Sequence, residues 1–297
     1  MSNSERHIIH LDLDAFFVSV ECLKDASLKG IPIGVGGTSD RGVIASCSYE
    51  ARKFGVRSAM SVRQAKKLCP QIRMVKGDMD SYASFSRLVT EIIKSEVPVF
   101  EKSSIDEFYI DLTGMDKYFG CSVFAKAVIS KISKESGLPV SYALASNKLI
   151  SKVATNEVKP KGSIEIPHGE EKKYLAPLPI EKLPMLGAKT SDLLRKQGID
   201  TIKNLSEMPV ETVINLLGKN GNSLWRKANG IDESPVIPFH EQKSIGTENT
   251  FHSDTFDTRF LKGELVRMSE RVGFELRCSN MLTGCVTVKI KYADFEV

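Results

Sequence analysis

Two hydrophobic rhythms organise the first half of the chain. Residues 7–13, His-Ile-Ile-His-Leu-Asp-Leu, are a short apolar run and predict a buried strand near the start of the fold. Gly30, Pro32, Gly34, Gly36 and Gly37 then mark a region of loops and short strands, followed by a basic stretch over 49–67. From Tyr82 to Lys94 the apolar positions Tyr82, Phe85, Leu88, Val89 and Ile92 recur at helical spacing. Phe108 to Leu112 predicts a strand that Gly114 stops. A second helix is expected from about Ser122 to Glu135, ended by Gly137 and Pro139, with a strand over Val140 to Ala145 behind it. With the segment 18–77 set aside, the order is strand, helix, strand or hairpin, helix, strand. That is the order of a ferredoxin-like α/β sandwich with a large insertion after its first strand.

The pattern changes at 170–232. Strand signals vanish, helices shorten, and Gly187, Gly198, Gly218, Gly221 and Gly230 punctuate them, so a small all-helical region is expected. Residues 233–243 carry two prolines and no period, which predicts a linker. A helix over about 258–277 and a strand over Val286 to Tyr292 then begin a further α/β unit.

Composition narrows the class. The 297 residues are 41% hydrophobic and 26% charged, which excludes a disordered tail, a collagen-like fibre and a disulfide miniprotein. The formal charge of +4 permits a nucleic-acid partner without demonstrating one. Cys22, Cys47, Cys69, Cys121, Cys278 and Cys285 form no C-x-x-C pair, so a structural zinc site is not expected. The sequence shows no signal peptide and no apolar run of about 18 residues. A reduced, cytosolic protein with no membrane association is the expectation.

Acids at strand ends carry the chemistry. Asp12 and Asp14 would share one face of the first strand, since side chains alternate. A carboxylate in an apolar strand is costly unless it is paired, protonated or bound to a cation. Asp106 and Glu107 form a second pair, and oxygen ligands from two segments suit Mg²⁺ or Mn²⁺. On a flat strand Asp106 and Glu107 would face opposite ways, so a shared site requires a strand end, bulge or turn. An apolar strand ending in Asp-x-Asp also opens the haloacid-dehalogenase phosphatases, where Asp12 would be the nucleophile. There a small hydroxylated residue usually follows, whereas Ala15, Phe16 and Phe17 follow here. Two adjacent aromatics favour a cavity that packs against a ring or sugar.

The chain resembles the Y-family, the lesion-bypass DNA polymerases, and within it the polymerase IV branch. The resemblance rests on Asp12-Leu13-Asp14-Ala15-Phe16-Phe17, Ser48-Tyr49-Glu50-Ala51-Arg52-Lys53-Phe54-Gly55-Val56, Ser104-Ile105-Asp106-Glu107 and Ser146-Asn147-Lys148-Leu149. It continues through Lys159-Pro160-Lys161-Gly162, Gly230-Ile231-Asp232-Glu233 and Lys243-Ser244-Ile245-Gly246, all in family order across nearly the whole chain. It implies a palm (1–17 and 78–167), inserted fingers (18–77), a small helical thumb (168–232), a linker (233–243) and a partial α/β little finger (244–297).

By the resemblance, Asp12, the Leu13 carbonyl and Asp106 hold two Mg²⁺ ions (Mn²⁺ as substitute), with Glu107 beside the primer end as a further catalytic and metal-site acid. The substrates would be primer–template DNA and a dNTP, copied at low fidelity. Tyr49, Arg52, Lys159 and the amides around Phe16 and Phe17 would grip the triphosphate, a task suited to the planar fork of an arginine. Phe17 takes the steric-gate position, where a ring under the sugar excludes a ribose 2′-OH. Small residues at Ala45 and Ser46 would roof the nascent base pair. Leu183-Pro184-Met185-Leu186-Gly187-Ala188-Lys189 resembles a helix-hairpin-helix turn, which offers Gly187 and Lys189 to DNA, although Met185 stands where glycine is usual. Lys148 and Lys152 are candidates for DNA-backbone contacts. A monomer is expected, and a sliding-clamp peptide, common at the ends of bacterial members, is absent from the sequence. The competing readings are the phosphatase and a DNA-binding scaffold without chemistry. Intact Asp12, Asp106 and Glu107 speak against the scaffold.

Overall fold

A computed structural model describes residues 5–39, 41–115, 120–239, 241–294 and 296. Its contacts divide the chain into two units, Met1–Phe239 and His240–Val297.

The first unit is built around β1 (Ile8–Leu13), a strand buried along its whole length. Along the chain follow α1 (Phe16–Lys24), β2 (Ile33–Gly36), β3 (Ile44–Cys47), α2 (Tyr49–Lys53), α3 (Val62–Leu68), β4 (Arg73–Lys76) and α4 (Met79–Glu96). Next come β5 (Phe100–Lys102), β6 (Glu107–Asp111), α5 (Cys121–Ser136), β7 (Val140–Ala145), α6 (Lys148–Glu157) and β8 (Ser163–Glu165). The larger sheet has the order β5-β6-β1-β7-β8, and its first four strands pair antiparallel with one another. With α4 and α5 as crossovers this is the ferredoxin-like arrangement. β8 is added at one edge, parallel to β7 through α6. The insertion forms its own mixed sheet, β3-β2-β4.

β1 sits mid-sheet, so each face is covered by a different layer. Ile9, Leu11 and Leu13 pack with Val89, Ile93, Val128 and Ile132 of α4 and α5. Each such side chain taken fully out of water contributes roughly 1.5–3 kcal/mol. Ile8, His10 and Asp12 alternate to the opposite face, where α6 crosses β1 and β7. β7 divides in the same way, with Val140, Tyr142 and Leu144 in the first core and Ala143 and Ala145 in the second, under Leu149, Ile150 and Val153. The small alanines let α6 lie close to the sheet.

Local chemistry fixes the ends. Asp78 caps α4, accepting from the Ser81 amide at 3.1 Å and receiving the Lys24 ammonium at 2.7 Å. α5 ends at Gly137, whose φ of 72° is the left-handed conformation glycine adopts without penalty. Asn147 caps α6 through the Ile150 amide at 3.0 Å.

The helical region follows as α7 (Glu171–Leu175), α8 (Ala188–Lys196), α9 (Ile202–Ser206), α10 (Val210–Leu217) and α11 (Gly221–Ala228). Leu175, Leu183, Leu194, Ile202, Leu205 and Val213 join its core to that beneath α6. After α11 the chain does not run free. The Gly230 carbonyl accepts from Asn147 Nδ2 at 3.0 Å, and Asp232 accepts the Leu149 amide at 3.0 Å, a second cap on α6. Arg6 Nη2 donates to the Ser234 carbonyl at 2.8 Å, Val236 is buried with Ile8 and Tyr109, and the Ile237 amide donates to Glu101 at 2.8 Å. The first half of the expected linker is therefore strapped onto the sheet, because Val236 finds an apolar seat there.

In the second unit α12 (Thr258–Cys278) is capped by Asp257 and buries Glu264, which receives Arg267 at 2.7 Å and Asn249 at 3.1 Å. The strand expected over Val286 to Tyr292 does not form. Its alternating Val286, Val288, Ile290 and Tyr292 are exposed, and a strand exists only by hydrogen-bonding to a neighbour, which no described segment supplies. No described helix is long and apolar enough to cross a membrane.

Two backbone positions yield predictions. A Cβ on Gly162 would stand 1.9 Å from the Val158 carbonyl oxygen. Gly162→Ala is expected to lower stability by roughly 1–3 kcal/mol, read as a lower melting temperature. Met185 has φ of 71° while its side chain is exposed. The left-handed penalty of about 1–2 kcal/mol, less the roughly 0.5–1 kcal/mol glycine loses in chain entropy, leaves Met185→Gly stabilising by up to about 1.5 kcal/mol in denaturant titration.

Candidate active site

The acids meet at one end of β1. In the antiparallel pairing of β1 with β6, Asp12 lies directly opposite Glu107, so both side chains leave the sheet on the face that α6 covers. Asp106 precedes β6, and its carbonyl accepts the Leu13 amide at 3.0 Å, which holds the Asp106 main chain against the end of β1. Ser104 Oγ donates to Asp106 at 2.6 Å and accepts from the Glu107 amide at 3.1 Å, turning the two neighbouring acids out of strict alternation. The strand-end condition that the sequence sets is met.

Electrostatics reflect the crowding. Burial, reinforced by Asp106 and Glu107, pushes the Asp12 carboxyl up to about 7, even though Lys159 Nζ lies 2.5 Å away and pulls it down. Burial raises Glu107 too. The Lys152 ammonium, 2.8 Å from both of its oxygens, outweighs that and holds it below the usual range.

Asp14 is not a second acid on the same strand face. β1 stops at Leu13, and Ala15, at φ of 44°, turns the chain into α1. The Asp14 carboxylate is buried and accepts from Ser141 Oγ at 2.9 Å, the Lys161 amide at 2.8 Å and Tyr49 Oη at 3.2 Å. It ties Lys159-Pro160-Lys161-Gly162 and α2 to the end of the sheet. The Asp-x-Asp pairing on which a phosphatase would rest is thus divided between an acid paired with Lys159 and a structural tie.

Phe16 and Phe17 open α1 and do not lie on a strand. Phe16 is buried in the main core. Phe17 is half-buried and stacks on Tyr82, with ring centroids 4.3 Å apart and planes at 14°. Tyr82 donates to Glu21 at 2.7 Å, which fixes the ring beneath Phe17. Tyr49 begins α2, Arg52 lies over its ring at 4.8 Å, and Arg52 Nε donates to the Cys47 carbonyl at 3.3 Å. Burial and the nearby Asp14 raise the Tyr49 phenol, keeping it a neutral donor. Ser46 is buried opposite Val35 on β2, and Ala45 is exposed.

The lysines divide. Lys152 sits on Glu107, but Lys148 is committed to Glu101 at 2.6 Å and to the Tyr109 ring at 4.5 Å. Lys148 is only 15% exposed, so it anchors the strap and is not presented to a DNA backbone. Gly187 caps α8 and Lys189 is exposed beside it; Lys189, Met185, Asn220 and Lys227 line a cleft of about 360 Å³. Sequence reasoning does not single out His10, Ser141 or Tyr82. Alternation alone places His10 on the face of Asp12, whereas Ser141 and Tyr82 come from other segments and only the fold brings them in.

Among the described residues no three His, Cys, Asp or Glu side chains already stand in metal-ligating geometry. The donor set nevertheless suits a hard divalent cation. Asp12, raised chiefly by burial and further by Asp106 and Glu107, stands beside a main-chain carbonyl, and oxygens of this kind are the ligands such a cation takes.

Known proteins match this arrangement. A family model described as impB/mucB/samB covers residues 11–156, and the model of that family's C-terminal domain covers 242–297. DNA polymerase IV of Dehalococcoides mccartyi (strain ATCC BAA-2100) is 40% identical over 294 residues, which is 98% of this chain and 75% of that protein. DNA polymerase IV of Methanoculleus marisnigri is 36% identical over 300 residues, covering 100% of this chain and 83% of that protein. Among solved structures, DinB from Sulfolobus solfataricus superimposes with a TM-score of 0.72 at 26% identity, covering 77% of this chain and 69% of that one. An insertion ternary complex of Dbh DNA polymerase gives 0.71 with the same identity and coverage. The chain belongs to the impB/mucB/samB family, the Y-family to which its motifs point.

Proposed function

We propose that the chain is a template-directed DNA polymerase of the lesion-bypass type, joining dNTPs to a primer 3′-OH with divalent cations as cofactor. The observation that carries this reading is the pairing of Asp12 with Glu107 across β1 and β6, with Asp106 docked at the same strand end. It is supported by the polymerase IV names of relatives that match nearly the whole chain.

The nucleophile belongs to the DNA, so no serine, cysteine or histidine nucleophile is required. The primer hydroxyl loses its proton to solvent as its oxygen forms a bond to the α-phosphorus, the bond from the α-phosphorus to the oxygen bridging to the β-phosphorus breaks, and pyrophosphate leaves with that electron pair. Asp12, Asp106 and the Leu13 carbonyl would hold two Mg²⁺ ions, with Glu107 beside the primer end. When bound, such cations lower the pKa of the hydroxyl and offset charge on the triphosphate and leaving group. Lys159, at rest on Asp12, would turn to the β- and γ-phosphates together with Arg52, and Tyr49 would move its single hydroxyl proton from Asp14 to a phosphate oxygen. Asp14 would keep the Lys161 amide, which holds the loop that carries Lys159 in place. Phe17, backed by Tyr82, would present its ring under the sugar. Gly187 and Lys189 would meet the DNA backbone, and Lys152, once off Glu107, would do the same.

Asp106→Ala is expected to reduce primer extension by more than about a hundredfold while DNA binding, read by fluorescence anisotropy, stays within a few-fold. Extension near the wild-type rate would contradict the assignment. Phe17→Ala is expected to cost little dNTP incorporation and to relax discrimination against ribonucleotides by about a hundredfold. Unchanged sugar selectivity in single-nucleotide insertion would remove Phe17 from the gate.

A further inference from the structure

His10 lies on β1 two residues before Asp12 and is fully buried. Neither ring nitrogen has a hydrogen-bond partner, and these are the two buried side-chain polar atoms left unpaired among the described residues. An imidazole carries at least one N–H in either protonation state, so the ring always has a proton to give.

The ring cannot go looking for a partner. Its residue pairs with Tyr109 on one side and Ala143 on the other, and its carbonyl accepts from Thr155 of α6 at 3.0 Å. The Tyr109 ring packs against it at 4.8 Å. Glu107 faces the ring: its Oε1 is 3.8 Å from Nε2, beyond hydrogen-bonding range. Glu107 is held off by Lys152, which takes both of its oxygens at 2.8 Å. A buried imidazole with both nitrogens idle is costly unless some other state of the protein uses it. The movable partner is the acid.

We propose that His10 is a positioning residue for Glu107: its Nε2–H takes over the carboxylate when Lys152 leaves it for the DNA, and holds Glu107 toward the primer end during nucleotidyl transfer. The inference rests on the polymerase reading and deepens it. His10 acts through Glu107 and touches no substrate. Its contribution appears in the rate of the bound complex and not in substrate affinity.

The test compares wild type with His10→Phe, which fills the space without a donor, and His10→Gln, whose amide N–H reaches where Nε2 does. Single-turnover primer extension is measured with Mg²⁺, alongside primer–template affinity and dNTP KM. His10→Phe is expected to lower kcat about tenfold to a hundredfold, with KM and DNA affinity within about twofold, and His10→Gln to recover most of the loss. On a Glu107→Ala background, His10→Phe should cost the residual extension nothing further. A wild-type kcat in His10→Phe, a His10→Gln no better than His10→Phe, or additive losses on the Glu107→Ala background would each overturn the proposal. Should His10→Phe not fold, His10→Asn replaces it: its amide is too short to reach Glu107, and a wild-type kcat there overturns the proposal equally. The wild-type lane separates the two readings, since absence of any extension by wild type refutes the polymerase assignment itself.

Discussion

Negative charge at the end of a doubly buried strand is the constraint around which this protein is arranged. β1 has an apolar layer on each side, and yet it delivers Asp12 onto the α6 face opposite Glu107, with Asp106 alongside. Like charges brought together out of water raise one another's pKa unless cations stand beside them. Lys159 answers Asp12 and Lys152 answers Glu107, each from a segment far away in the chain. The loop that carries Lys159 is itself fastened by Asp14, and the helix that carries Lys152 is capped twice, by Asn147 and by Asp232. Much of what looks like ordinary scaffolding is the means of keeping positive charge within reach of a place that repels itself.

This arrangement also explains the division of labour between neighbouring residues. Asp12 and Asp14 are two positions apart, but β1 ends at Leu13 between them, and the left-handed Ala15 then turns the chain into α1. Asp12 keeps one lysine partner, while Asp14 spends its oxygens on a hydroxyl, an amide and a phenol. Phe16 and Phe17 part in the same way, one into the core and one onto Tyr82 at its edge.

How much of this the sequence discloses depends on the kind of information involved. Strands and helices of the larger sheet are legible because their apolar periods and glycine stops are local: β7 falls at Val140–Ala145 as its apolar run predicts, and α5 ends at Gly137. The convergence of Asp12, Asp106 and Glu107 is legible as motifs, through the family resemblance, and only weakly as spacing. What escapes is whatever depends on a distant partner. Lys148 looks like a surface lysine until Glu101 is beside it, and Val236 looks like linker until Ile8 and Tyr109 give it a seat. The reverse holds at Val286–Tyr292, where the alternation is sound but no described neighbour supplies the hydrogen bonds a strand needs.

The strap across the sheet has a consequence of scale. A segment that composition would treat as slack is fastened as far as Ile237 by Arg6, Glu101 and a buried valine. The leash available to whatever follows is therefore measured from there and not from the end of α11. A shorter leash confines its cargo to a smaller volume, and effective concentration climbs as that volume shrinks. Arg6, Glu101 and Val236 would in this way set how much free chain is left beyond the sheet.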